Sequence, residues 1–167
     1  MGSYRLTWRP LLEGQIAIGH KPGKKLRALL AQTGCTRVVS LLSASESRKQ
    51  ESAYRIRLPL DGADPPGPER TPEVLALFEK MTAELAGGGK LYLHCSAGLH
   101  RTGMIAYAYL RHLGFTREQA VAKITELREL TANQLRTPRR RWGEQFARAP
   151  AGRVDDAPRE DDGLTAG

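Results

Sequence analysis

The chain has 167 residues, 26 of them Lys or Arg against 18 Asp or Glu, for a formal charge of +8. That length fits one hydrophobic core, and no apolar run approaches the roughly 20 residues a bilayer-crossing helix needs, which argues against membrane insertion. The stretch from Pro150 to Gly167 carries two arginines and five acids, a balance of −3, so the rest holds +11 and attracts anionic partners without choosing among phosphoprotein, nucleic acid and acidic lipid.

From Tyr4 to Gly19, two short apolar stretches, Leu6 to Trp8 and Gln15 to Ile18, are separated by Pro10 and Gly14 and predict a small hairpin or paired strands. Lys24 to Gln32 places Leu26, Leu29 and Leu30 at helical spacing and stops at Gly34, a suitable left-handed cap. Arg37 to Leu42 and Tyr54 to Leu60 are rich in branched and aromatic residues and read as strands, the first suited to a buried position. Asp61 to Arg70 has three prolines and two glycines and must be a loop.

Thr71, followed by Pro72 and Glu73, has the makings of an N-cap, and the helix it opens carries Val74, Leu75, Phe78, Met81 and Leu85 on one face as far as Gly87. Lys90 to His94 is a strand that runs into Cys95. Met104 to Leu113 is a helix closed by Gly114, and Thr116 with Gln119 forms a capping box for another through Leu130. Strands alternating with helices define an α/β fold: a single domain with a mostly parallel central sheet of about four to five strands flanked by helices. Residues 149–167 lack apolar periodicity and are expected to be a disordered tail.

The chemistry concentrates in His94-Cys95-Ser96-Ala97-Gly98-Leu99-His100-Arg101-Thr102-Gly103, between the last central strand and a helix. A short loop entering a helix N-terminus can curl its amides around a tetrahedral anion, with glycines permitting the unusual angles. Cys95 then sits on the floor of a phosphate nest made by Ser96, Ala97, Gly98, Leu99, His100, Arg101 and Thr102. In such electropositive surroundings a cysteine pKa falls from about 8.5 to roughly 3.5–7.5, so a nucleophilic thiolate is expected. Arg101 supplies a planar fork matched to two phosphate oxygens, and the Thr102 hydroxyl is near enough in sequence to reach the sulfur.

This string closely resembles the phosphate-binding loop of the cysteine-dependent protein tyrosine phosphatases, whose signature is His-Cys, five residues, then Arg and Ser or Thr. The resemblance is to the compact dual-specificity-like members and covers most of residues 4–147. It implies attack by Cys95 on phosphorus, a phosphocysteine intermediate, and a loop Asp that protonates the leaving oxygen and then activates water. Asp61 and Asp64, 34 and 31 positions before Cys95, are the candidates; Leu58-Pro59-Leu60-Asp61-Gly62-Ala63 resembles the family's acid loop and favours Asp61. Residues 1–148 would form the phosphatase domain.

The resemblance implies a phosphoprotein phosphatase acting on phosphotyrosine, with phosphoserine and phosphothreonine as further substrates. The alternatives are the same chemistry on a phosphoinositide or an RNA 5′-phosphate, and a non-catalytic phosphoprotein-binding adaptor. The expected partner is a phosphorylated protein; no metal or other cofactor, no membrane insertion and no nucleic-acid partner is expected. Cys35 and Cys95 lack C-x-x-C spacing, and MGSYRLTWRP lacks a secretory layout, so free thiols and a cytoplasmic location are expected. Cys35 reads as a small core residue, with redox pairing to Cys95 as the alternative. The arginines at 136, 139, 140 and 141 read either as a solvated face or as a docking surface, and Gln134 as a candidate for positioning water near the pocket.

Overall fold

The computed structural model describes residues 5–47 and 54–148; Tyr4 and the expected tail at 149–167 lie outside the described residues. The elements in order are β1 (Arg9–Leu11), β2 (Gly14–Gly19), α1 (Lys24–Gln32), β3 (Arg37–Ser40), β4 (Arg55–Arg57), α2 (Thr71–Ala86), β5 (Lys90–His94), α3 (His100–His112), α4 (Arg117–Leu127), α5 (Glu129–Asn133) and α6 (Thr137–Gly143). They build a five-stranded sheet in the order β1-β2-β5-β3-β4, parallel except for the β1–β2 hairpin.

β5 is the centre of this sheet, paired in register with β2 (Gly19 opposite His94) and with β3 (Ser40 opposite His94). Alternation along it sends Leu91 and Leu93 to one face and Tyr92 to the other. The first face meets Phe78, Met81 and Leu85 of α2 and Ile105 and Tyr109 of α3; the second meets Leu26 and Leu30 of α1. With both faces covered, the open place is the carboxyl edge of the parallel strands, where β5 hands over to Cys95. No helix of the described residues is long and apolar enough to cross a membrane.

The hairpin is present, but its first strand begins at Arg9 and contains Pro10, which an edge strand tolerates because one side needs no ladder bond. Leu6 and Trp8 instead pack against the α1 cluster, where Trp8 Nε1 donates to Thr33 Oγ1 at 3.2 Å and Lys90 Nζ sits 4.5 Å from the ring centroid. α1 has the expected bounds, and Gly34 after it takes φ +82°.

Thr71 is not a cap. A 3-10 turn at Pro68–Arg70 feeds straight into α2, so Thr71 already lies inside the helix and no side chain caps it. On α2 it is Leu77, not Leu75, that joins Val74, Phe78, Met81 and Leu85 in the core; Leu75 is exposed. The Thr116–Gln119 capping box is formed in both directions. The helix it opens stops at Leu127 rather than Leu130, because Arg128 turns extended (φ −165°, ψ 104°) before α5 begins. Cys35 stands before β3 and Cys95 after β5, about six residues apart by register or roughly 20 Å, which excludes their pairing.

Candidate functional site

The loop from Cys95 to Leu99 is shaped from outside. Ser96 O accepts from Lys21 N at 2.9 Å, Ala97 O from Arg128 Nη1 at 3.0 Å, and Gly98 O from the same Nη1 at 3.0 Å and from Thr131 Oγ1 at 2.6 Å. In a trans peptide the N–H points opposite its carbonyl, and the described peptides are all trans. Holding these three carbonyls outward therefore turns the amides of Ala97, Gly98 and Leu99 inward. Among the described residues, no backbone acceptor meets these amides, which run into the N-terminus of the thirteen-residue α3. The result is an anion nest.

Gly98 takes φ +71°, and a Cβ there would lie 2.2 Å from the carbonyl carbon of Gly19. The loop can rest on the backbone at the end of β2 only because Gly98 has no side chain. Gly98→Ala is expected to cost about 2 kcal/mol or more, since it combines a left-handed backbone with a clash against backbone; urea denaturation measures this.

Cys95 is 3% exposed, at the base of the nest, and Arg101 reaches over from the first turn of α3. The guanidinium is held by Glu46, Nη1 to Oε1 at 2.6 Å and Nη2 to Oε2 at 3.0 Å, with Nη1 also donating to Leu60 O at 2.9 Å. That uses three of five N–H groups and leaves Nε–H and one Nη2–H, the adjacent pair that a phosphate accepts bidentately. The pKa of Arg101 is pushed up, chiefly by the bond to Glu46 and further by the neighbouring Cys95. Arg101 in turn holds the Glu46 pKa down at about 2.

Glu46 and Arg128 were not singled out in the sequence, though Glu46 carried a signal. Ser43-Ala44-Ser45-Glu46 has capping-box spacing, and the reciprocal bonds form: Ser43 N donates to Glu46 Oε1 at 3.0 Å and Glu46 N to Ser43 Oγ at 3.3 Å. The motif closes a turn rather than opening a helix, and thereby points the carboxylate at Arg101.

Asp61 and Asp64 are both exposed, in the loop between β4 and α2. Two anchors place the segment: Leu60 O on Arg101, and Ala63 O on Arg139 Nε at 2.9 Å. Asp61 lies between them, one residue from the guanidinium contact, and Asp64 lies beyond. Arg139 is thus more than a solvated cation, and its Nη1 also donates to Gln134 O at 3.1 Å. His100 is partly buried at the rim, its pKa lowered first by burial and then by Arg139 and Arg136. Thr102 Oγ1 is buried with no partner among the described residues.

His94 Nδ1 donates to Cys95 O at 3.0 Å, and its ring stacks on Tyr92. Burial is the main cause of its pKa falling to about 4; the Cys95 carbonyl opposes the fall, and Arg55, Lys21 and His20 add to it. The unfolded chain takes up this proton near pH 6.5, before the folded one does. Stability from His94 is therefore full above that value and lost as pH falls toward about 4, by on the order of 3 kcal/mol. Denaturant midpoints between pH 7 and 4 should show the decline, and His94→Asn should flatten most of it.

A crevice at the carboxyl ends of parallel strands, with a cysteine at the base of an amide nest and an arginine across it, defines a cysteine-based phosphatase. The chain belongs to the family described as Tc-R-P, polymorphic toxin system, DSP-PTPase phosphatase, whose model matches residues 17–115. No curated protein matches the chain. Among solved structures it is similar to PTPMT1 in complex with PI(5)P (18% identity, TM-score 0.66, covering 83% of this chain and 93% of that one). It is also similar to human DUSP28 (19%, 0.66, 84% and 94%) and to Tk-PTP in its active form (19%, 0.63, 80% and 91%). At these identities the likeness bears on the fold.

Proposed function

We propose that the protein hydrolyses phosphoprotein substrates, phosphotyrosine foremost, through a phosphocysteine at Cys95. The sulfur attacks phosphorus as a thiolate, and the bond to the leaving oxygen breaks while Asp61 gives that oxygen its proton. Asp61, now a carboxylate, takes a proton from water; the water oxygen bonds phosphorus, the S–P bond breaks, and thiolate and inorganic phosphate are released. The amides of Ala97, Gly98 and Leu99 and the two remaining donors of Arg101 hold the equatorial oxygens as charge spreads over them. The unpartnered Thr102 hydroxyl stabilises the departing sulfur.

The observation that carries this reading is the pairing of outward-held loop carbonyls with a guanidinium aimed by Glu46. The test is hydrolysis of p-nitrophenyl phosphate in EDTA. Activity should survive the chelator and vanish in Cys95→Ser, with a trapped phosphocysteine in wild type on rapid quench; a requirement for added metal would overturn the proposal. A second reading, the same chemistry on a phosphoinositide, draws on the basic rim of His100, Arg136 and Arg139 and on the PI(5)P complex of PTPMT1. Against it, the loop residues Ser96, Ala97 and Leu99 add no cation. Release from phosphopeptides against PI(5)P decides between them.

A further inference from the structure

Of the arginines around α6, Arg139 is tied to Ala63 O and Gln134 O. Arg140 and Arg141 are exposed, and among the described residues no hydrogen bond or ion pair engages either guanidinium. Both stand on a groove of about 770 Å³ between α4 and α6, with Tyr107 of α3 at its base. At one end of this groove the charges are already matched: Glu144 accepts from Tyr107 Oη and meets Arg111 Nη2 at 2.8 Å and Arg117 Nε at 3.3 Å. At the other, Arg140 and Arg141 face a single further acid in the lining, Glu118 of α4, which pairs with neither. Val121 and Ala122 of α4 add an apolar strip between them.

The chain itself carries the complement. The described residues stop at Arg148, whose N donates to Arg111 O at 3.2 Å on the same turn of α3 that holds Glu144. The sequence continues through Arg153-Val154-Asp155-Asp156-Ala157-Pro158-Arg159-Glu160-Asp161-Asp162, where a valine precedes five acids and the two arginines leave a net charge of −3. Arg141 stands seven residues before Arg148, through the end of α6 and the 3-10 turn Glu144–Phe146, on the order of 10–15 Å away at helical rises. Asp155 stands seven residues after it, with a reach of up to roughly 23 Å in extended chain. The acids therefore return to α6 with length to spare. The cavity nearer to Arg148, about 700 Å³, has Glu79 in its wall and no Lys or Arg besides Arg148, so charge directs the segment to the α4–α6 groove.

We propose that the groove between α4 and α6 is a docking site for the chain's own acidic segment, residues 154–162. Val154 lies on Val121 and Ala122, and the acids that follow pair with Arg140 and Arg141. Two exposed ion pairs hold a free peptide weakly, but a short tether raises its effective concentration to the millimolar range. An acidic partner arriving from outside must displace the segment before it can use these arginines.

The test is fluorescence anisotropy of a fluorescein-labelled copy of residues 150–164 added to the full chain at low salt. Wild type, its groove filled in cis, should bind the copy about ten-fold more weakly than a full chain whose five acids, Asp155, Asp156, Glu160, Asp161 and Asp162, are changed to Asn or Gln. Arg140→Glu with Arg141→Glu in that neutral-tail chain should abolish binding, and 0.5 M salt should weaken it strongly. Arg140→Gln with Arg141→Gln, which keeps the stem of each side chain, should lose most of the affinity as well and serves where thermal unfolding shows that charge reversal unsettles α6. Equal affinity in wild type and the neutral-tail chain would overturn docking in cis, as would a wild-type dimer in light scattering that the neutral tail dissolves, since the segment would then lie on a second copy. Binding that survives the Gln pair, or no binding by any chain, would overturn the groove. None of these readouts uses phosphatase activity, so the proposed reaction stands or falls separately.

Discussion

Arg101→Lys should lower kcat/KM for p-nitrophenyl phosphate by roughly 10³-fold, the scale seen when a charged donor to a transition-state oxyanion is removed. The reason is geometric. Arg101 meets Glu46 along one side of its plane through Nη1 and Nη2, and this fixes Nε–H and the second Nη2–H toward the nest. A lysine has one point charge for both tasks. Drawn to Glu46, it leaves the phosphoryl oxygens; drawn to the phosphoryl group, it leaves Glu46, held down near a pKa of 2 by this pair, without its partner. Glu46→Gln keeps an acceptor at the same place but loses the charge, and about a ten-fold fall, mostly in kcat, is expected from a positioning residue. Rescue by Gln relative to Ala separates aiming from mere packing. An Arg101→Lys enzyme within three-fold of wild type would end the role given to the guanidinium.

The contrast between these two residues shows what was legible in the sequence. Arg101 stands six positions after Cys95, and the whole string from His94 to Gly103, rather than that spacing alone, singles out both. Glu46 is 55 residues away from Arg101, and its Ser43-x-x-Glu46 turn precedes no periodic apolar run, so nothing local said where its carboxylate would point. Arg128 was hidden for a related reason. Leu127-Arg128-Glu129-Leu130 has good helix formers throughout, and propensity predicts one helix through Leu130. The chain breaks because Arg128 reaches Ala97 O and Gly98 O from an extended backbone, a tertiary demand that overrides a weak local preference. Where local rules sufficed, as in α1 with its Gly34 cap or the Thr116–Gln119 box, boundaries followed from the residues. At Leu75 and Leu77 the helical pattern admits either neighbour at the edge of the apolar face, and only packing against the sheet selects Leu77.

Asp61→Asn should separate substrates by their leaving groups. Departure of a tyrosyl oxygen needs a proton, and a positioned acid is worth roughly 10²–10⁴-fold, so a phosphotyrosine peptide should lose about that much in kcat. The p-nitrophenolate ion leaves more readily without a proton and should lose far less. The choice of Asp61 over Asp64 follows from the two anchors of the loop: Leu60 O held on Arg101 keeps residue 61 beside the guanidinium, while Ala63 O on Arg139 marks where the chain turns toward Asp64. Asp64→Asn is therefore expected to stay within a few-fold of wild type on both substrates. Arg139→Ala, which frees the Ala63 anchor, should follow Asp61→Asn in kind, harming the peptide more than p-nitrophenyl phosphate, because it misplaces the acid without touching the nest. The opposite ranking of the two aspartates would move the proton to Asp64, and equal losses on both substrates in Asp61→Asn would mean that this carboxylate supports the loop rather than the leaving oxygen.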